Sequence, residues 1–171
     1  MDSIGQIGGS IIIGGPALIG SNAEEALNPY GEVSRLYGSD RYETCIMINL
    51  AFRDVLNGDS ICLACGTNYP DALSGSVTAA FLHAPMLLVK GNNLTQLQQE
   101  YVFWKAPVNV FAFGGTGVLS DAVENDVNRL SLFGTARQMS QIQNSEFNGL
   151  SSLEDGNMLD TILDNNINSN F

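Results

Sequence analysis

The sequence predicts an α/β fold in which an open, mainly parallel sheet is flanked by helices. Three observations predict it: short apolar runs alternate with helix-like segments, the runs are apolar at nearly every position, and several of them end in glycines. Strands that are apolar throughout are typical of parallel sheets covered on both faces. A chain of 171 residues is long enough to bury the core that such a sheet needs.

The N-terminal region predicts a strand, a glycine turn and a helix. The run SIIIGG at residues 10–15 is β-branched and closed by two glycines. Ser21 and Glu24 then have the spacing of a capping box, which marks a helix start. Residues 1–9 are interpreted as a flexible leader, because they lack the basic and apolar regions of a signal peptide.

The next helix is expected in the stretch that follows RLYGSDRYETC. Asp40 and Glu43 fit a second capping box, and the apolar residues after them predict a helix to about Leu56. The remaining elements are expected in alternation: a strand at 60–65, a helix whose start is marked by Pro70 and Asp71, a strand at 84–90, a helix at 94–104, a strand at 108–115 and a helix at 121–130.

An internal repeat divides the chain. IIIGGPALIGSNAEEAL, beginning at Ile11, and FAFGGTGVLSDAVENDV, beginning at Phe111, share an apolar run, paired glycines and an acidic helix about 100 residues apart. A fainter similarity relates residues 38–44 to residues 134–140. The predicted organisation is a leader at 1–9, the end of one repeat at 10–33, a complete repeat at 34–133, and a degenerate repeat start with a polar tail at 134–171. The tail is expected to be weakly ordered or to form an arm that docks elsewhere.

Charge and cysteine content exclude several classes of protein. Seven basic residues against eighteen acidic ones give a formal charge of −11, which repels nucleic-acid phosphates and anionic membrane surfaces. We therefore expect neither nucleic acid nor membrane as a partner. Cys45, Cys62 and Cys65 are an odd number in apolar surroundings and predict buried, reduced thiols.

Candidates for catalysis are few. His83 is the one histidine and is interpreted as a helix-terminal residue. With Ser74 and Asp71 it could imitate a triad, but the sequence around Ser74 lacks nucleophile-elbow spacing. Since the chain also lacks nucleotide-binding and metal-ligand spacing, we predict a protein that is not an enzyme and has no cofactor or metal.

Four segments in order carry a specific resemblance: RLYGSDRYET, GTNYPDALSGSVTAA, APMLLV and VFAFGGTGVLSDAVENDVNRL. Over roughly residues 34–131 the chain resembles the cell-wall-binding repeat type 2 family of Gram-positive bacteria, and residues 10–33 resemble the end of a preceding repeat. The resemblance implies a non-catalytic, toprim-like or Rossmann-like three-layer module that anchors surface-layer proteins and some phage endolysins to anionic wall glycopolymers. Because the family often packs three repeats, the resemblance implies that a chain with about one and a half completes its binding unit as a dimer or trimer, or by a swapped strand and helix.

Two segments offer candidate contacts for such a polymer. Arg41 presents a guanidinium fork at a helix start, which suits phosphate or carboxylate, and Arg35 has a weaker case of the same kind. The alternative for Arg41 is a bracing contact to Glu43, Asp40 or a carbonyl.

The second segment follows a strand end, where open parallel sheets bind ligands. Asn68, Tyr69 and Asp71 combine an amide, an aromatic ring and a carboxylate, a mixture that suits sugars. The alternative is a capped helix in which Asp71 marks the N-terminus and Gly75 permits close packing.

The leading hypothesis is a wall-binding module that targets an upstream catalytic domain to the bacterial cell wall. The free thiols and the missing signal peptide favour a phage endolysin, made in the cytoplasm and released late, over a surface-layer protein. The alternative is an oligomerisation module that positions the attached domain.

Overall fold

The structure, a computed structural model, describes residues 8–147, with side chains to residue 141. The predicted leader up to residue 7 and the tail from residue 148 lie outside this part. The elements in chain order are β1 (Gly9–Ile13), α1 (Ser21–Leu27), β2 (Glu32–Leu36), α2 (Arg41–Ala51), β3 (Ser60–Cys65), α3 (Tyr69–Phe81), β4 (Met86–Val89), α4 (Gln96–Lys105), β5 (Asn109–Phe113) and α5 (Asp121–Phe147), with a 3-10 turn at Asn28–Tyr30.

All strand pairings are parallel, and helices flank the strands, which confirms the predicted fold class. Within the described residues the strands form two sheets. β1 pairs with β2 alone, and a three-stranded sheet has the order β4-β3-β5. Because β3 is central and buried at all six positions, it organises the core.

The three-stranded sheet is covered on both faces. Ile61 and Leu63 of β3 pack with buried side chains of α2, α4 and α5, whereas Cys62 packs with Ala79 of α3 on the other face. A Cβ on Gly75 would lie 2.6 Å from the Phe113 ring, so glycine lets α3 approach β5 closely. The packing role considered for Gly75 is therefore seen in the structure.

One strand, one helix boundary and one helix cap differ from the sequence prediction. β2 was not predicted, since its sequence EVSRL has few apolar residues and its partner is a single strand. α2 ends at Ala51 rather than near Leu56, because the chain turns after Phe52. The predicted capping role of Ser21 is also wrong: Gly20 is the N-cap of α1 and no side chain caps that helix.

The sequence repeat is a repeat of local structure. After β1, Leu18 N–H donates to Gly15 O at 3.0 Å; after β5, Val118 N–H donates to Gly115 O at 2.9 Å. The preceding Gly14 and Gly114 have φ values of 137° and 125°, which glycine adopts readily. β1, turn and α1 therefore match β5, turn and α5 at an offset of 100 residues.

The two copies diverge after the helix starts. The chain breaks after α1 at Asn-Pro-Tyr-Gly (28–31), whereas the equivalent Asn-Arg-Leu-Ser (128–131) lacks proline and glycine. α5 therefore continues to Phe147 instead of ending near residue 130, so residues 134–147, predicted to belong to a weakly ordered tail, are helical. Residues 134–140 lie inside this helix, so the fainter similarity to residues 38–44 does not reflect a shared structure.

Candidate functional site

Arg41 is the first residue of α2 and lies between two loops. Asp40 caps the helix by accepting hydrogen bonds from Tyr42 N–H at 2.8 Å and Glu43 N–H at 2.9 Å, as predicted. The Arg41 side chain is exposed, and its Nη1 donates to Gly66 O in the loop after β3 at 2.9 Å. The bond to a carbonyl is one of the bracing contacts considered from the sequence.

The loop after β3 is held close to α2. A Cβ on Gly66 would lie 2.4 Å from Cε1 of the buried Tyr42, so only glycine fits this position without a shift. Gly66 N–H also donates to Val89 O at the end of β4. The loop is therefore fixed on both sides, which places its carbonyl for Arg41.

Asn68, Tyr69 and Asp71 lie along the start of α3, two to five residues beyond Gly66. Asn68 is the N-cap residue but makes no side-chain capping bond, and it is exposed. The Tyr69 side chain is 73% exposed. Asp71 is half-buried, and its Oδ2 lies 2.9 Å from the position of a Cβ on Gly114. The loop thus brings Arg41 near Asn68, while Asp71 faces the turn after β5.

Arg35 lies apart from this group. Its Nη1 donates to Gly14 O at 2.6 Å and its Nε donates to Glu24 Oε1 at 2.7 Å. The Arg35 side chain is 11% exposed. Its guanidinium therefore binds the turn after β1 and the helix α1.

A cleft of about 770 Å³ opens between the turn after β1 and the start of α2. Its lining includes Gly14, Leu18, Tyr37 and Arg41, and Ile48 of α2 lies at its side. Leu18 is 87% exposed and Tyr37 is 48% exposed. Sequence reasoning missed Tyr37, although it stands within RLYGSDRYET, because nothing in the sequence places it opposite the glycine turn.

A smaller cavity of about 280 Å³ lies between the starts of α2 and α4. Asp40 and Glu43 line it together with Thr95 and Gln96. Both carboxylates accept hydrogen bonds from the protein, Glu43 from Ser39 N–H at 2.8 Å. The cavity offers carboxylates rather than cations, so it suits an anionic ligand less well than the larger cleft.

The cysteines are free. Burial raises the pKa of the Cys45 thiol and of the Cys62 thiol. The Thr67 hydroxyl lies 3.0 Å from the Cys65 sulfur and, with the Thr67 backbone, lowers the pKa of that thiol. Cys65 is nevertheless buried under the loop after β3, which limits access to it.

The residues considered for a triad are not arranged as one. Ser74 Oγ donates to the backbone carbonyl of Asp71 at 3.1 Å. His83 follows the C-cap of α3 with a φ of 49°, the left-handed conformation typical of a residue just beyond a helix end.

Residues 8–147 were compared with the patterns of a metal site and of a membrane-spanning helix. In this part no group of three or more histidine, cysteine or acidic side chains is arranged to hold a metal ion. None of its helices combines the length and the apolar character of a membrane span.

Comparisons with known proteins identify the family. The profile of cell wall binding domain 2 (CWB2) matches residues 35–124, just over half of the chain. N-acetylmuramoyl-L-alanine amidase LytC of Bacillus subtilis (strain 168) is 26% identical over 121 residues, which are 71% of this chain and 23% of the amidase. The amidase enhancer of the same strain is 30% identical over 121 residues, which are 71% of this chain and 16% of the enhancer.

The fold has a match among solved structures. Cwp6 from Clostridium difficile superposes with a TM-score of 0.68 at 21% identity, covering 73% of this chain and 20% of that one. This chain thus spans less than a quarter of each relative. From the match over residues 35–124, the chain belongs to the cell wall binding domain 2 (CWB2) family and is a cell-wall-binding module.

Proposed function

We propose that this module binds an anionic secondary glycopolymer of the Gram-positive cell wall. The polymer lies in the cleft between the turn after β1 and the start of α2, and extends over the loop after β3. The observation that carries the proposal is Arg41: an exposed guanidinium, fixed by Gly66 O, at the mouth of a cleft of about 770 Å³.

Arg41 supplies the recognition of charge. One of its nitrogens is held by Gly66, and its other N–H groups make no hydrogen bond within residues 8–141. A guanidinium held in this way keeps donors for a phosphate or carboxylate and loses less conformational entropy on binding. Since the chain carries a formal charge of −11, attraction of an anion depends on this local geometry rather than on the net field.

The remaining candidate residues supply contacts to sugar rings. Tyr37, which lines the cleft, and Tyr69, at the start of α3, are both exposed, and apolar faces of sugar rings can stack on aromatic rings of this kind. Asn68 carries an amide that can both donate to and accept from hydroxyl groups. Asp71 lies toward Gly114, so it would contact a polymer that crosses the C-terminal edge of the sheet.

We assign Arg35 a supporting role. Its guanidinium holds Gly14 O and Glu24, which fixes the turn that forms one wall of the cleft. It acts on the ligand through this wall, because only 11% of its side chain is exposed.

The attached partner is proposed to be a wall-lytic enzyme. The names of the two Bacillus relatives contain amidase, and each relative is several times longer than the matched segment. We infer an upstream catalytic domain and a phage endolysin, made in the cytoplasm and released to the wall, with a surface-layer protein as the alternative.

The test is a pull-down of the purified protein on Gram-positive cell walls before and after hydrofluoric acid extraction of secondary polymers. Binding that is lost with the polymers supports the proposal. Binding that survives extraction contradicts it and points to peptidoglycan.

An oligomerisation module is the second candidate function. It is favoured by the open edge of β5, which lies at the end of the three-stranded sheet. No binding to walls, together with self-association in solution, would favour this candidate.

A further inference from the structure

The turn after β1 holds an arginine, and the chain repeats that turn after β5. In the first copy, Gly14 O and the Glu24 carboxylate both bind the guanidinium of Arg35, which arrives on β2. At an offset of 100 residues, Gly114 follows β5 in the same left-handed conformation and Glu124 lies in the first turn of α5. Gly114 O and Glu124 are therefore the equivalents of the two groups that bind Arg35, and we name this pair the second arginine socket.

This second socket has no arginine within the described part of the chain. The ion pairs among residues 8–141 are Arg35 with Glu24 and Arg129 with Asp126, and neither includes Glu124. Gly114 N–H has no hydrogen-bond partner there, whereas the equivalent Gly14 N–H donates to Leu36 O at 2.9 Å. The Asp71 carboxylate beside Gly114 adds negative charge to the same turn.

The open edge of β5, next to the second arginine socket, is equivalent to the edge of β1 that pairs with β2. Gly14 N–H donates to Leu36 O of β2. The backbone N–H and C=O groups of the even-numbered residues of β1 therefore point toward β2. Val108 N–H and Asn109 N–H both donate to Asp59 O. Val108 precedes β5, whereas Asn109 is its first residue and lies in register with Ser60, so the backbone N–H and C=O groups of the odd-numbered residues of β5 point toward β3. The even-numbered Val110 and Ala112 therefore lie on the open edge, which is equivalent to the edge of β1 that β2 covers.

We propose that the open edge of β5 and the second arginine socket bind β2 of a second copy of this chain. In this exchange β2 leaves its own β1 and pairs with β5 of the partner in parallel. Arg35 then binds Gly114 O and Glu124 instead of Gly14 O and Glu24. The register of β1 and β2, carried over by 100 residues, places Ser34 beside Phe111.

The exchange has a physical driving force. A two-stranded sheet is marginal by itself, whereas β2 on β5 completes a four-stranded sheet. β1 is poorly covered where it stands, since Ile11 is 39% and Ile13 is 50% exposed. The hinge is the break at Asn-Pro-Tyr-Gly (28–31), and exchange of an identical element between protomers is a low-cost route to association.

The test compares two equivalent carboxylates in the whole chain by sedimentation over a range of concentrations. Glu24→Gln weakens the contact that holds β2 on β1 of its own chain, so we expect self-association to tighten by about tenfold. Glu124→Gln weakens the contact of Arg35 with the partner chain, so we expect self-association to weaken by about tenfold. Glu25→Gln, the exposed neighbour, leaves association unchanged. Opposite shifts support the proposal; equal shifts, or a monomer at every concentration for both wild type and Glu24→Gln, overturn it.

A cross-link locates the exchanged strand directly. Mixing Phe111→Cys with Ser34→Cys, each made separately, should give a disulfide-linked heterodimer whose bond joins residues 34 and 111. Association without that bond overturns the assignment. The inference deepens the second candidate function and does not rest on polymer binding, because neither experiment contains a wall polymer and loss of wall binding would leave both results unaffected.

Discussion

The guanidinium of Arg41 donates to the carbonyl of Gly66 across 2.9 Å and so joins the start of α2 to the loop after β3. These two segments are 25 residues apart in sequence, and Arg41 itself lines the cleft that we assign to the wall polymer. Loss of this single residue therefore removes both a cation of the cleft and the contact that joins α2 to the loop after β3.

Arg41→Ala should lower the affinity for cell walls by about tenfold, the effect of losing one charge-assisted hydrogen bond. Arg41→Lys should restore part of it, because an ammonium keeps the charge but lacks the fork of donors. Binding isotherms on purified walls measure the change. Arg129→Ala is the matched control, since Arg129 is exposed and pairs with Asp126 on α5. Equal losses for Arg41→Ala and Arg129→Ala would show that net charge, not this site, controls binding.

Asp40→Ala should lower the free energy of unfolding by about 1 kcal/mol, because it removes the N-cap of α2. Two backbone N–H groups, those of Tyr42 and Glu43, lose their acceptor. Ser21→Ala is the control: it removes another polar side chain with a helix-capping oxygen, from the predicted cap of α1, where no side-chain capping bond exists. Urea denaturation measures both, and a comparable loss for Ser21→Ala would contradict the structure.

The sequence predicted the elements that have strong local signals. β3 is apolar from Ile61 to Cys65, and Asp40 makes the expected N-cap bonds at the start of α2. The other half of the predicted capping box is wrong, because Glu43 accepts from Ser39 N–H rather than from Asp40 N–H. The sequence did not predict β2, whose pairing with β1 is a tertiary contact between segments about 20 residues apart. In Glu24 the local rule was misleading: capping-box spacing linked it to Ser21, whereas the folded chain pairs it with Arg35, 11 residues away.

The candidate site also contains residues that local sequence signals indicate and residues whose role depends on tertiary contacts. Arg41, Asn68 and Tyr69 were predicted as contacts because their residue types and their places at helix starts suit a polymer ligand, and they remain a proposal. Tyr37 and the roles of Gly14 and Gly66 depend on which loops meet, and sequence spacing does not contain that information. The equivalence of Glu24 and Glu124 was present in the repeat, but its meaning required the contact of Arg35 with the first copy.

Gly134→Ala should destabilise the protein, although alanine favours helices over glycine. A Cβ at this position in α5 would lie 2.1 Å from Phe103 O and 3.0 Å from the Ala106 Cβ. Separation of α4 from α5 should cost about 1–3 kcal/mol, which exceeds the gain of roughly 1 kcal/mol from helix propensity. Gly117→Ala, where a Cβ meets nothing within 4 Å, is the control and should be neutral or slightly stabilising. A higher melting temperature for Gly134→Ala would contradict the observed packing of α4 on α5.

Tyr101 should make the protein sensitive to alkaline pH. Its side chain is 1% exposed, and burial raises the pKa of its hydroxyl well above the ordinary value of 10. Above about pH 10 the unfolded chain releases this proton while the folded chain retains it, so the free energy of unfolding falls as pH rises. Tyr101→Phe removes the ionisable group at nearly constant volume, and its stability should decline less between about pH 10 and pH 12. Urea denaturation across this range measures the difference, with the exposed Tyr30→Phe as the control. Parallel decline of wild type and Tyr101→Phe would mean that another group controls alkaline unfolding.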